Sequence, residues 1–294
     1  MKLRGEVAVV TGGARGIGLA IARALGDQGA RVAIAARSSD EVAAAGEELS
    51  RGGLEVLARP ADVTREAEVR ALIDDVLRAW GRVDVLVNNA GATGAIGRLD
   101  ECDVDAWKSA VEVNLYGTMH GCRAVLPHMR SRRRGTIVNL AGGGVGGAGI
   151  AVRMSGYVAS KAAVVQLTEA LAREVAADGV RVNAVAPGAV VTAMTAGIVA
   201  AGADAAGKEL YERTVEQRRS GGEPPELAAR AVVWLASAES APLTGKMLSA
   251  KWDDTAAMDV ADAARSSLYT LRRIDRVMFA EVSRSSQKPE ARKP

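Results

Sequence analysis

The sequence predicts an α/β fold, a doubly wound parallel sheet in a single domain with a C-terminal extension. Three observations carry it. Short β-branched runs recur along the chain; segments with apolar residues three and four apart separate them; and a glycine-rich turn joins the first run to the first such segment. At 294 residues with 48% hydrophobic and 25% charged residues, the chain can bury a sizeable core, which excludes disorder and a disulfide-stapled miniature. Length alone would permit two domains of roughly 150 residues, but no Ser/Pro/Gly linker divides it. Residues 1–250 therefore read as one α/β domain and 251–294 as the extension.

In chain order, strands are expected over residues 7–10, 31–35, 54–57, 83–87, 136–140 and 180–185. A helix over 225–238 precedes a last edge strand at 246–250. Helical spacing is plain in Ile17, Ile21, Ala24 and Leu25, which places an amphipathic helix directly behind the first strand. Large apolar residues are lacking beyond Ser283, so 283–294 is expected to be mobile. The arginines at 130, 132, 133 and 134 read as a solvated helix end rather than a binding patch.

Composition excludes several function classes. A net charge of +3, with four Trp, four Tyr and one Phe, gives few platforms for stacking bases, so no nucleic-acid partner is expected. The uncharged stretches at 182–203 and 135–152 are broken by Pro187 and Gly188 in one and by seven glycines in the other, so no membrane partner is expected either. His120 and His128 are the only histidines, which argues against a His-based metal site. Cys102 and Cys122 are too few for a disulfide framework and suit a reducing cytoplasm.

The chemistry begins at the glycine-rich turn. Residues 11–18 read TGGARGIG, with Thr11, Gly12, Arg15, Gly16, Ile17 and Gly18 between strand and helix. Glycines there let the backbone turn tightly and bring N–H groups close to a pyrophosphate at the helix start. The spacing is GxxxGxG. Tyr157 and Lys161 lie four apart on a predicted helix and so share a face; a nearby ammonium would favour the phenolate and lower the tyrosine pKa.

The TGxxxGxG turn resembles the short-chain dehydrogenase/reductase family, and five further segments line up with that family in chain order. They are Asp62 with Val63, the Asn88–Gly91 stretch (Asn89 and Ala90 within it), Asn114, Tyr157 with Lys161, and Pro187–Gly188 with Thr192. The resemblance implies a Rossmann-type fold and hydride transfer between a nicotinamide cofactor and a small-molecule carbonyl or secondary alcohol. It also implies the roles. Asp62 and Val63 contact adenine, Asn89, Ala90 and Gly91 close the fourth strand against the cofactor, and Pro187, Gly188, Val190 and Thr192 form the nicotinamide-side loop. Tyr157 is the general acid/base, Lys161 also holds the ribose, and Asn114 positions a water. Family members assemble as dimers or tetramers, so a homodimer or homotetramer is expected.

Ala36 stands where an acidic residue would select NAD(H); with Arg37 after it and Arg15 in the turn, the pocket favours NADP(H), with NAD(H) the alternative. One departure concerns catalysis. Relatives end the fifth strand in a serine that holds the substrate oxygen, whereas this chain runs Leu140-Ala141-Gly142-Gly143-Gly144. Ser155 is the next hydroxyl, with helix N-capping the competing reading. Three accounts stay open: Ser155 takes over, a substrate group or backbone N–H supplies the bond, or the protein binds cofactor without useful turnover. A serine at Ala141 or Gly142 is expected to speed the enzyme if the hydroxyl is missing. The substrate wall is expected along residues 192–211, with Met194, Ile198 and Leu210, plus Ile96 and Met154; residues 268–274 read as a packing arm or a substrate lid.

Overall fold

The computed structural model describes residues 1–146 and 149–272. The strands are β1 (Val7–Thr11), β2 (Arg31–Ala36), β3 (Val56–Pro60), β4 (Val85–Asn88), β5 (Gly135–Leu140), β6 (Val180–Ala186) and β7 (Met247–Ser249). They form one parallel sheet in the order β3-β2-β1-β4-β5-β6-β7. The connecting helices are α1 (Gly16–Asp27), α2 (Ser39–Arg51), α3 (Glu66–Trp80), α4 (Val104–Val111), α5 (Gly117–Ser131), α6 (Ser155–Glu174), α7 (Ala193–Ala206), α8 (Lys208–Arg219), α9 (Pro225–Ala236) and α10 (Val260–Arg265). A π-helical turn, Glu112–Tyr116, joins α4 to α5.

Strand alternation sorts the apolar residues onto two faces. Ala8, Val10, Ile34, Val87 and Leu140 pack with α1, α2 and α9 on one side, while Val7, Val9, Ala35, Leu86 and Ile137 pack with α3, α5 and α6 on the other. Both faces being covered, the central strands are buried end to end. The strand order reverses between β1 and β4, which opens a crevice at their carboxyl ends, the usual ligand position in such sheets.

Two strand starts differ from expectation by two residues, and those of β5 and β7 by one. Leu54 lies against α1, where Gly26 leaves room for it, so β3 begins at Val56. Val83 donates its N–H to His128 Nε2 before pairing begins at Val85. The arginines of the α5–β5 corner are not merely solvated. Arg130 pairs with Asp178 at 2.7 Å, Arg132 with buried Asp84 at 3.0 Å, Arg134 with Glu6, and Arg133 donates to Ala177 O.

The chain after β7 folds back on the sheet: Ala263 is buried in the α1/α9-side core, with Met258, Val260 and Tyr269 against it. The expected mobile end at 283–294 lies outside the described residues. Among the described residues, no helix is long and apolar enough to cross a membrane.

Candidate active site

A cavity of about 730 Å³ occupies the crevice. At one end stands the turn after β1. Gly12 has φ +63°, and a Cβ there would fall 2.8 Å from Ala90 Cα; one on Gly18 would fall 2.1 Å from Gly12 O. The turn is tied to β4 by Thr11, whose hydroxyl accepts the N–H groups of Asn89 and Ala90 at 3.2 Å, and by Asn89 Nδ2, which donates to Thr11 O and Gly12 O at 3.0 Å. No side chain caps α1, so its first N–H groups face the cavity. Gly16 faces Thr192 across the space, where a Cβ would meet only Thr192 Cγ2 at 3.8 Å. This bare, positively polarised helix start fits a pyrophosphate.

Farther along β2, Ala36, Arg37 and Ser38 line the wall, with Asp62 and Val63 opposite. Burial pushes the Asp62 carboxyl up, but the N–H and hydroxyl of Thr64 and the nearby Arg37 and Arg65 outweigh it and hold the group below its ordinary value. Arg15 is paired with Glu41 at 3.1 Å, whereas Arg37 has no ion-pair partner among the described residues. Glu41 lines the same wall and was missed from sequence; its place three residues after the α2 N-cap Ser38 is the signal that could have found it.

At the other end lie Tyr157 and Lys161 on α6. Lys161 is 3% exposed and donates to Leu140 O at 2.7 Å; no carboxylate meets it among the described residues. Burial lowers its pKa to about 8 and raises that of the Tyr157 phenol to about 12. In the protein alone, burial is what acts on the phenol, in the direction opposite to the lowering expected from an ammonium and an oxidised nicotinamide ring beside it.

Every residue expected at the cofactor, from Gly12 to Thr192, lines this one cavity. Asn114 and Ser155 do not. Asn114 is fully buried in the π-helical turn, with its amide spent on Ala92 N and O and on Ser160 Oγ, all at 2.9 Å. Ser160 in turn donates to Tyr157 O, so Asn114 ties the chain after β4 to the tyrosine's helix. Ser155 is exposed, accepts from Trp107 Nε1 at 3.0 Å and follows the N-cap position, which Met154 occupies. Gly142 instead sits beside the phenol; a Cβ there would lie 2.5 Å from Tyr157 Oη. The expected substrate wall divides: Met194 and Ile198 reach the cavity, while Met154 and Leu210 are buried behind Ile198, with Ile96, Tyr157 and Tyr211 packed against them.

Comparison with known proteins agrees with this geometry. The family model described as short chain dehydrogenase matches residues 6–202. L-fucose dehydrogenase of Oryctolagus cuniculus is 39% identical over 240 residues, covering 80% of each chain. A 3-oxoacyl-(acyl-carrier-protein) reductase of Staphylococcus epidermidis is 38% identical over 248 residues, covering 82% of this chain and 95% of that one. Among solved structures, an actinorhodin polyketide ketoreductase with NADPH superposes with TM-score 0.75 at 38% identity, over 83% of this chain and 95% of that one. An NAD+-bound xylitol dehydrogenase gives 0.77 at 27% identity, over 85% and 98%. A parallel seven-stranded sheet, a glycine turn at its switch point and a Tyr–Lys pair in the same crevice accompany these matches: the chain belongs to the short-chain dehydrogenase family, whose members include nicotinamide-dependent oxidoreductases.

Proposed function

We propose that this protein is an NADP(H)-dependent oxidoreductase that interconverts a small carbonyl compound and its secondary alcohol, with Tyr157 as the general acid/base. The observation that carries the reading is the shared wall: phosphate turn, Arg37, Tyr157 and Lys161 line one cavity. A bound nicotinamide would supply or accept the hydride. Tyr157, protonated at neutral pH because burial lifts its pKa, holds the proton that a carbonyl oxygen takes during reduction. Lys161, anchored at Leu140 O, keeps two N–H groups for ribose hydroxyls, and its positive charge favours the phenolate that alcohol oxidation requires. Asn114 positions the helix that carries both.

Preference for NADP(H) rests on Arg37, which lines the wall beside Ala36 where an acid would repel a 2′-phosphate; Arg15 contributes less because Glu41 already meets it. Free Cys102 and Cys122 suit the cytoplasm. Exposed Val104, Tyr116 and Met119, on and beside α4 and α5, supply an apolar face for a homodimer or homotetramer.

One observation favours a second reading, a cofactor-binding protein with little turnover: no hydroxyl stands where the fifth strand of relatives offers one, and Ser155 is held by Trp107. The test is NADPH binding by fluorescence together with NADPH oxidation across a ketone panel. Binding with turnover supports the enzyme; tight binding with no turnover on any ketone supports the second reading.

A further inference from the structure

The turn beside Tyr157 is almost without side chains of its own. Gly142 lies beside the phenol, a Cβ on Gly143 would fall 3.3 Å from Val158 Cα and 3.5 Å from the Tyr157 ring, and Gly143, Gly144 and Gly146 all have φ between +68° and +79°. Between Gly142 and Gly146 only Val145 carries a side chain. Among the described residues, the sole backbone bond closing the turn from within is Val145 N–H to Gly142 O at 3.3 Å. Glycine loses more backbone freedom on ordering than any other residue, so something outside must hold this segment.

The chain after α10 does so. Lys246 Nζ donates to Ser266 O at 2.5 Å and to Leu268 O at 3.1 Å, and Met247 N–H donates to Tyr269 O at 2.8 Å, laying the arm along β7. Arg272 closes it with a bond to Glu169 Oε2 on α6 at 2.8 Å. Leu271 then projects into a small cluster made of Ala141, Val145, Val165, Ala184 and Met247. Met247 Cε and Leu271 Cδ2 fill the space that a Cβ on Gly146 would enter, at 2.5 and 3.9 Å.

We propose that residues 266–272 form a strap, and that Leu271 is a positioning residue which holds the 142–146 turn against Tyr157. This rests on the oxidoreductase reading above for its effect on rate, but not for the contact itself. The arm has separate anchors: Tyr269, Met258 and Val260 pack against the α1/α9-side core, and Lys246 holds its backbone. Shortening Leu271 therefore frees the turn without releasing the arm. Leu271 is not itself among the residues lining the cavity and reaches it only through Ala141, so the strap is expected to act on turnover far more than on cofactor affinity.

The experiment uses the full chain, with Leu271→Ala and its conservative counterpart Leu271→Met. Amide hydrogen exchange at short labelling times is expected to quicken about tenfold over residues 141–146 in Leu271→Ala, with α10 and β1 unchanged, and to return to the wild-type rate in Leu271→Met. Turnover in the ketone panel is expected to fall about tenfold with the NADPH Kd within about twofold, again restored by methionine. Unchanged exchange over 141–146 overturns the strap; quickened exchange with unchanged turnover overturns its positioning role. Wild-type protein that turns over no ketone defeats the oxidoreductase reading instead, and the exchange result still decides the contact. Should Leu271→Ala fail to fold, Arg272→Gln, which opens the clasp to Glu169, carries the same expectations; failure of both to fold makes the arm plain core and overturns the assignment.

Discussion

Arg37, Gly142 and Lys161 each turn the site into a number. Arg37→Ala removes the cavity-wall cation that has no ion-pair partner among the described residues; with a charge-assisted bond worth roughly 1.5–3 kcal/mol and solvent discounting part of it, NADPH affinity should fall about tenfold, with NADH affinity barely moved. Equal losses for both cofactors in fluorescence titration would remove Arg37 from the selection. The sequence suggests that a serine at Gly142 restores a missing hydroxyl, but the geometry reverses that expectation. The added Cβ meets the phenol at 2.5 Å, so Gly142→Ser should slow carbonyl reduction by displacing Tyr157, and a faster variant in the same assay would contradict the placement.

Lys161 illustrates the cost of a functional site. Its folded-state pKa of about 8 lies below the ordinary 10.5, so between those values the unfolded chain binds more protons and stability rises with pH. Below pH 8 the full penalty of a buried charge is present. Lys161→Met should therefore stabilise the fold at pH 7 by on the order of 1–3 kcal/mol, less the hydrogen bond lost at Leu140 O, and the gain should vanish as pH approaches 10.5. Urea unfolding at pH 7 and pH 10 checks both the sign and the window.

Among the elements, β6 and α9 meet through a half-buried cation with no carboxylate opposite it among the described residues. Arg181 donates to Leu235 O at 2.7 Å, Ser237 O at 3.2 Å, Ser240 Oγ at 2.9 Å and Thr136 Oγ1 at 3.1 Å, thereby capping the end of α9; burial lowers its pKa to about 10. Arg181→Met leaves those carbonyls unpaired and should cost about 2–4 kcal/mol in chemical denaturation; a loss below 1 kcal/mol would mean that water replaces the cap. Nothing in the sequence marks Arg181, because one arginine in a strand reads as an edge residue until its neighbours are known. The strands themselves were legible, since β-branched runs buried on both faces leave no competing period. The glycine turn and the i, i+4 spacing of Tyr157 and Lys161 were legible too, being local. Contacts that join distant segments were not: Asn114 with Ala92 and Ser160, Ser155 with Trp107, and Leu271 with Val145 depend on the crossovers that bring their elements together.

For the whole molecule, the sheet's reversal between β1 and β4 decides where everything else goes. It sets the α1 start, the chain after β4 and the loop following β6 around one crevice, so residues from Gly12 to Thr192 converge without any being neighbours in sequence beyond their own motif. Tyr116, 50% exposed, and Val104, 59% exposed, are not among the cavity-lining residues, and theirs is the face proposed above for self-association. Light scattering after gel filtration should report a dimer or tetramer, and Met119→Arg should shift it toward monomer; a monomeric wild-type protein would leave that apolar face without a partner of its own kind.

The central claim, that the buried phenol of Tyr157 delivers the proton in a cavity built for a nicotinamide cofactor, is tested most directly by Tyr157→Phe. Removing one oxygen should lower NADPH oxidation on the best ketone by at least about a hundredfold, the usual worth of a positioned acid, while NADPH affinity stays within about threefold. Wild-type turnover in that variant would contradict the account.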